Sequence, residues 1–263
     1  MSAGSDNRLT MVPAIGLYAA TANESRMVGK VGVTASNITC APLVGPGDRS
    51  LGEWSATDSE LHAVSDQAAA QSRPDLLVRA LTADEIQAAQ AQLVEADDCP
   101  VPFDQLRMVE VPYWSFEATA EKGTLIVNAD VAEALGQVFE RLFDARFPIQ
   151  RMDAIDPLPV DATSRVSSNN TVAFKCRAVR GGSSWSQHAY GHAVDINPVD
   201  NPSVSGGQAT PPLGADRIDR QVDAPGMIHE GDVVTQAFDA HGWGWGGRWD
   251  FHQDYMHFSI NGQ

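Results

Sequence analysis

The chain reads as an α+β fold behind an irregular N-terminal extension, and three observations predict this. Segments of helical and strand character mix without a regular βαβ repeat, which disfavours a doubly wound sheet. Several stretches carry apolar residues at helical spacing behind recognisable start signals. Short runs rich in Val, Tyr and Trp lie between them and read as strands.

Residues 1 to about 55 show little periodicity, and Gly45-Pro46-Gly47-Asp48 is a turn or linker signal. Ser59 can cap a short helix with Leu61, Val64 and Ala68 on one face. Thr82-Ala83-Asp84-Glu85 is a capping-box pattern, and Ile86, Ala89, Leu93 and Ala96 follow at helical spacing. Leu106 to Phe116 and Thr124 to Val127 are β-prone. Asn128 then caps a helix whose apolar face is Val131, Leu135, Val138, Phe139, Leu142 and Phe143, with Pro148 as its stop. Phe174 and Ala193 to Ile196 read as short strands. Asp232 caps a helix with Val233, Val234, Ala237 and Phe238, stopped at His241-Gly242, and Met256 to Ile260 is the last strand. The expected organisation is an extension or linker over residues 1–80 and one domain over 81–263, with a helical lead-in at 81–98.

The chain has 263 residues, 43% hydrophobic and 20% charged, enough apolar content for a core. Its formal net charge is -16, from 18 Lys and Arg against 34 Asp and Glu. An acidic surface repels phosphate backbones and anionic lipid, so nucleic acid is excluded as an expected partner. Solubility or a saline habitat explains the acidity equally well. No run is long and apolar enough for a transmembrane segment. Met11 to Ala19, followed by Ala20-Thr21-Ala22, has the outline of a signal peptide. Pro13 and Gly16 interrupt it, however, and the export route is not legible.

Of the three cysteines, Cys40, Cys99 and Cys176, none form a C-x-x-C pair. If the protein works outside the cell, Cys99 with Cys176 is the preferred pair, because both lie in the better-organised part of the chain. Three free or buried thiols is the competing reading.

Two stretches carry chemistry. The first runs Ser186-Gln187-His188-Ala189-Tyr190-Gly191-His192-Ala193-Val194-Asp195-Ile196. The second is Gly242-Trp243-Gly244-Trp245-Gly246-Gly247-Arg248-Trp249, with Asp254-Tyr255-Met256-His257-Phe258 after it. A catalytic zinc takes three imidazole or carboxylate ligands and keeps one position open. His188, Asp195 and His257 supply such a set. Gly191 lets the chain turn between the first two; on one straight strand, ligands seven apart would face opposite ways. Asp254 and His257 also need a bend between them. His192 and His252 flank the motifs as rival ligands, His241 sits at a helix end, and His62 and His229 read as surface or turn residues. Trp243, Trp245 and Trp249 read mainly as structural aromatics.

Together these motifs resemble the zinc D-alanyl-D-alanine carboxypeptidase family, whose relatives include VanX- and VanY-type peptidases and phage L-alanyl-D-glutamate endolysins. The resemblance spans about Cys99 to Phe258. It implies a hedgehog/DD-peptidase-like antiparallel sheet flanked by helices. It implies Zn2+ held by His188, Asp195 and His257, with Asp254 as catalytic base. Many relatives carry Glu there; the endolysin-like branch carries Asp. It implies an oxyanion-stabilising arginine, assigned to Arg177 with Arg180 as rival, and substrate binding by Ser186. The implied partner is a peptidoglycan stem peptide, and the implied location extracytoplasmic: cell wall, secreted, or a phage lysin released at lysis. A monomer is expected. No insertion closes the cleft, which favours an open groove over a carboxylate-binding pocket. The alternatives are a non-catalytic, zinc-containing wall-binding module on the same scaffold, since fold does not fix activity, and a purely structural zinc.

Overall fold

The structure, a computed structural model, describes residues 75–155, 168–179 and 181–263, together with the backbone of three short strands before them. The chain divides into two compact units, Met1–Ser72 and Arg73–Gln263. In the first, β1 (Leu9–Met11), β2 (Tyr18–Thr21) and β3 (Thr39–Pro42) form an antiparallel sheet in that order. The Gly45–Asp48 turn, the Ser59 helix, His62, the Cys40 side chain and most of the signal-like stretch lie outside the described residues.

The second unit opens with β4 (Leu77–Ala80), a strand in the stretch that the sequence assigns to the extension. The helix α1 (Ala83–Leu93) follows, and its capping box is complete. The Glu85 N–H donates to Thr82 Oγ1 at 3.3 Å, and the Thr82 N–H donates to Glu85 Oε2 at 2.8 Å. Two helix-end donors are thereby satisfied. β5 (Leu106–Trp114) and β6 (Ala120–Asn128) pair from Leu106↔Asn128 to Trp114↔Ala120, with β4 on the far edge of β5. β6 starts before the predicted Thr124. The helix α2 (Ala132–Asp144) then crosses this sheet. Asn128 is not its cap: Asn128 ends β6 and its Oδ1 accepts the Asp130 N–H, while Val131 precedes the helix without a side-chain cap. Nor does Pro148 stop it. The chain turns at Arg146, at φ +56°, and the Arg146 and Phe147 N–H groups donate back to the Phe143 and Leu142 carbonyls. That is a Schellman closure with arginine in the left-handed position.

The remainder builds two more antiparallel sheets. β7 (Ala193–Asp195), β8 (Ser203–Ser205), β9 (Gln208–Thr210), α3 (Val233–Asp239), β10 (Gly244–Trp245), β11 (Gln253–Asp254) and β12 (His257–Ser259) follow in sequence. One sheet is ordered β10-β12-β7, the other β11-β8-β9. Asp232 caps α3 as predicted, accepting the Thr235 N–H. Phe174 is not in a strand; it lies between isolated bridges at Val172 and Cys176, and its N–H donates to the Ile126 carbonyl. The architecture is α+β with small antiparallel sheets.

One apolar cluster joins these parts. Leu135, Val138, Phe139 and Leu142 of α2 share it with Val109, Val111, Leu125 and Val127 of the β4-β5-β6 sheet. Val194 and Phe258 of the β10-β12-β7 sheet also belong to it, as does Phe238 of α3. The Phe238 and Phe258 rings stack with centroids 4.0 Å apart. Full burial of each such ring contributes about 1.5–3 kcal/mol. A Cys99–Cys176 disulfide ties the loop after α1 to the 168–179 segment, the pair the sequence prefers. Among the described residues no helix is long and apolar enough to cross a membrane.

Candidate metal centre

β7 and β12 run antiparallel, with Val194 opposite Phe258 and Asp195 opposite His257. Because strand side chains alternate between faces, burying Val194 and Phe258 in the core turns Asp195 and His257 to the other face. His188 arrives from the 3-10 turn Gln187–Tyr190, which Ser186 caps. Gly191 ends that turn at φ +70°. A Cβ there would lie 2.5 Å from the Asn128 backbone nitrogen, so only glycine fits. The bend expected before His257 is the turn at Tyr255–Met256, between β11 and β12.

Three atoms converge. His188 Nε2 lies 3.2 Å from His257 Nδ1 and 3.2 Å from Asp195 Oδ1, and His257 Nδ1 lies 3.1 Å from Asp195 Oδ1. Tetrahedral ligands at zinc distances would stand about 3.3 Å apart. The other ring nitrogens fix what these atoms offer. His188 Nδ1 donates to the Ala173 carbonyl, and His257 Nε2 donates to the Gln263 carbonyl at 3.2 Å. In the neutral rings, His188 Nε2 and His257 Nδ1 therefore present lone pairs to each other and to a carboxylate oxygen. These three atoms form a group that could hold a metal ion, and the donor set fits zinc.

Burial disfavours the charged form of His257, but the bond to Asp195, the Asp195 and Asp254 charges and the Gln263 oxygen together outweigh it and hold the imidazole above the usual histidine range. Burial raises Asp195 in turn, and the charge and bonds of the two histidines overcome it, leaving the carboxyl well below its usual range. The site thus favours a carboxylate beside positive charge.

Asp254 stands one turn before His257, opposite Ser203 in the β11–β8 pair. Gly246 admits it: a Cβ on Gly246 would come within 3.0 Å of the Asp254 Cβ and 2.6 Å of its carbonyl oxygen. Ser186 is buried, and its Oγ accepts the His188 N–H at 3.4 Å. Arg177 is the neighbour of Ser186 across the segment, its carbonyl accepting the Ser186 N–H; its own guanidinium donates to the Ala178 carbonyl. Arg180 lies outside the described residues.

The rival histidines point elsewhere. His192 Nε2 bonds Asp130 at 2.9 Å, and His252 Nε2 bonds Ser203 Oγ at 2.6 Å. His241 is exposed just past α3, and the His229 N–H donates to Asp232. Trp243 and Trp245 are buried in the core. Trp249 is half-buried, with its ring 5.5 Å from His257 and 5.7 Å from His252. Its Nε1 donates to the Gly262 carbonyl, so it is held as a wall beside the third candidate ligand. The Ala173 and Gln263 carbonyls escape sequence reading because every residue type carries one. Trp249 shows in the aromatic-rich motif, yet its partner does not.

Residues 180–260 match a family model described as D-alanyl-D-alanine carboxypeptidase. No curated protein and no solved structure matches the chain. The matched segment contains Ser186, His188, Asp195, Asp254 and His257, and Arg177 precedes it. The match supports the D-alanyl-D-alanine carboxypeptidase family that the motifs resemble and, at family level, a peptidase acting on peptidoglycan.

Proposed function

We propose that the chain is a zinc-dependent peptidase that hydrolyses a peptide bond in peptidoglycan stem peptides, of D-Ala-D-Ala carboxypeptidase or L-Ala-D-Glu endopeptidase type. One observation carries this reading: the tautomer-locked convergence of His188, Asp195 and His257 inside the family-matched segment. Zinc held by these three residues would polarise the scissile carbonyl and acidify a water. Asp254 takes the proton of the attacking water and returns it to the leaving amine. The water oxygen joins the carbonyl carbon while the C–N bond breaks. Arg177 supplies positive charge to the carbonyl oxygen, a role typically contributing about 3 kcal/mol. The Ser186 oxygen accepts from His188, and its hydroxyl proton remains available for a substrate oxygen. The catalytic domain is the unit Arg73–Gln263, the expected 81–263 together with β4 before it, on a hedgehog/DD-peptidase scaffold. It works outside the cytoplasm as a monomer.

Digestion of purified peptidoglycan followed by mass spectrometry tests this. New stem-peptide fragments are expected from zinc-loaded protein, absent after chelation and restored by zinc. Asp254→Ala should keep one zinc per chain and lose about 100-fold or more in rate. Wild-type rates from that variant would remove Asp254 as the base. No new fragment from fully loaded wild type would favour a wall-binding module.

A further inference from the structure

Arg220 is half-buried and takes no part in the chemistry above, yet its guanidinium grips two segments at once. Nη1 donates to the Asp200 carbonyl at 2.9 Å and the Arg217 carbonyl at 3.0 Å. Nη2 donates to Asn201 Oδ1 at 2.8 Å and the Ile228 carbonyl at 2.7 Å. Its guanidinium carbon lies 4.6 Å from the centroid of the Tyr255 ring. None of these partners is a carboxylate; the Asp200 carboxylate is engaged by Asn169 and Arg217.

The position of the grip matters. Asp254 faces Ser203 at the end of the β11–β8 ladder. On one strand, Asp200 and Asn201 lie just before Ser203; on the other, Tyr255 follows Asp254 directly. The Tyr255 N–H reaches the Pro202 carbonyl at 3.4 Å, and Trp245 Nε1 donates to the Tyr255 carbonyl at 2.9 Å. Asn201 is fully buried, its Oδ1 also accepting the Ile228 N–H and its Nδ2 donating to the Ile196 and Gly226 carbonyls. Arg220 thus spans the open end of the ladder, with fixed groups on both sides. A planar fork suits this; a point charge does not.

We propose that Arg220 is a positioning residue that holds Asp254 in register with the metal ligands, acting through Tyr255 and the entry to β8. This rests on the reading of Asp254 as the base. A carboxylate displaced by about 1 Å can lose two orders of magnitude in rate while the ligand set stays intact.

The test uses the full chain with Arg220→Lys, Arg220→Met and Tyr255→Leu. If Arg220→Met does not fold, the other two still decide. Each folded variant should bind one zinc with unchanged stoichiometry. Each should lose about tenfold or more in kcat per bound zinc, with KM within about twofold. Combining Arg220→Lys with Tyr255→Leu should be little slower than the worse single change, because both break one link. Hydrogen exchange should quicken in residues 253–257 and leave β5 and β6 unchanged. Wild-type kcat per zinc, or exchange quickened equally in β5 and β6, would overturn the proposal in favour of a general structural role. If the wild type cleaves nothing, the hydrolytic reading fails on its own. The exchange pattern then still decides whether Arg220 holds 253–257.

Discussion

His188 and His257 each give one ring nitrogen to a backbone carbonyl, and that choice leaves His188 Nε2 and His257 Nδ1 for the centre. The residue types of the site were legible: two imidazoles and a carboxylate, ordered around Gly191, announce a ligand set. The groups that aim them were not. The Ala173 carbonyl bonded to His188 and the Trp249 ring beside His257 act through chain crossings that no local pattern encodes. Gly191 is the exception, a supporting residue whose purpose follows from spacing. Replacing it with alanine would place a methyl 2.5 Å from the Asn128 nitrogen and 3.0 Å from the Val127 carbonyl carbon, at a backbone φ of +70°. Gly191→Ala should lower unfolding stability by about 2 kcal/mol or more, measured by urea titration, and weaken zinc retention. A variant as stable as wild type would show that the turn can relax.

At the scale of elements, α1 and α3 were legible because their first turns advertise their own caps: Thr82 with Glu85, and Asp232 with Thr235. The start of α2 is not where the sequence points, since Asn128 serves the strand before it and the turn, not the helix. The hairpin β8–β9 escaped because Ser203–Thr210 is short and polar. Its Gly206-Gly207 turn, with φ of +57° and +77°, was the available signal. The α1 cap also carries a pH signature. The Glu85 carboxyl is held down at about 2, first by the Arg79 guanidinium and then by Thr82 against the cost of burial. A depressed carboxyl stabilises the fold above its unfolded-state value, and that stability is lost as pH falls toward about 2. Glu85→Gln should therefore destabilise the protein at neutral pH by about 1 kcal/mol, solvent screening included, with the deficit shrinking between roughly pH 4.5 and 2. Thermal melts across that range check it; a deficit that is constant with pH would assign the effect to packing.

At the scale of the whole unit, the β10-β12-β7 sheet has no core of its own. Phe258 and Val194 share the cluster of α2 and the β4-β5-β6 sheet, so the candidate site rests on contacts far away in sequence. The disulfide adds a covalent tie on the other side. Cys176 sits between Lys175, whose N–H donates to the His188 carbonyl, and Arg177, whose carbonyl accepts from Ser186. Its two half-cystines are 77 residues apart, so reduction should cost about 2–4 kcal/mol, seen as a lower denaturation midpoint with reductant. An unchanged midpoint would mean the cross-link does not restrain the unfolded chain. The α+β class was legible from the mixed order of elements; the division into three small sheets was not, because it depends on which strands meet. The proposed ligand set stands or falls on where the metal sits. Anomalous diffraction at the zinc edge, on crystals of the zinc-loaded protein, should give one peak about 2.0–2.2 Å from His188 Nε2, His257 Nδ1 and an Asp195 oxygen. A peak elsewhere, or one bonded to His257 through Nε2, would contradict it.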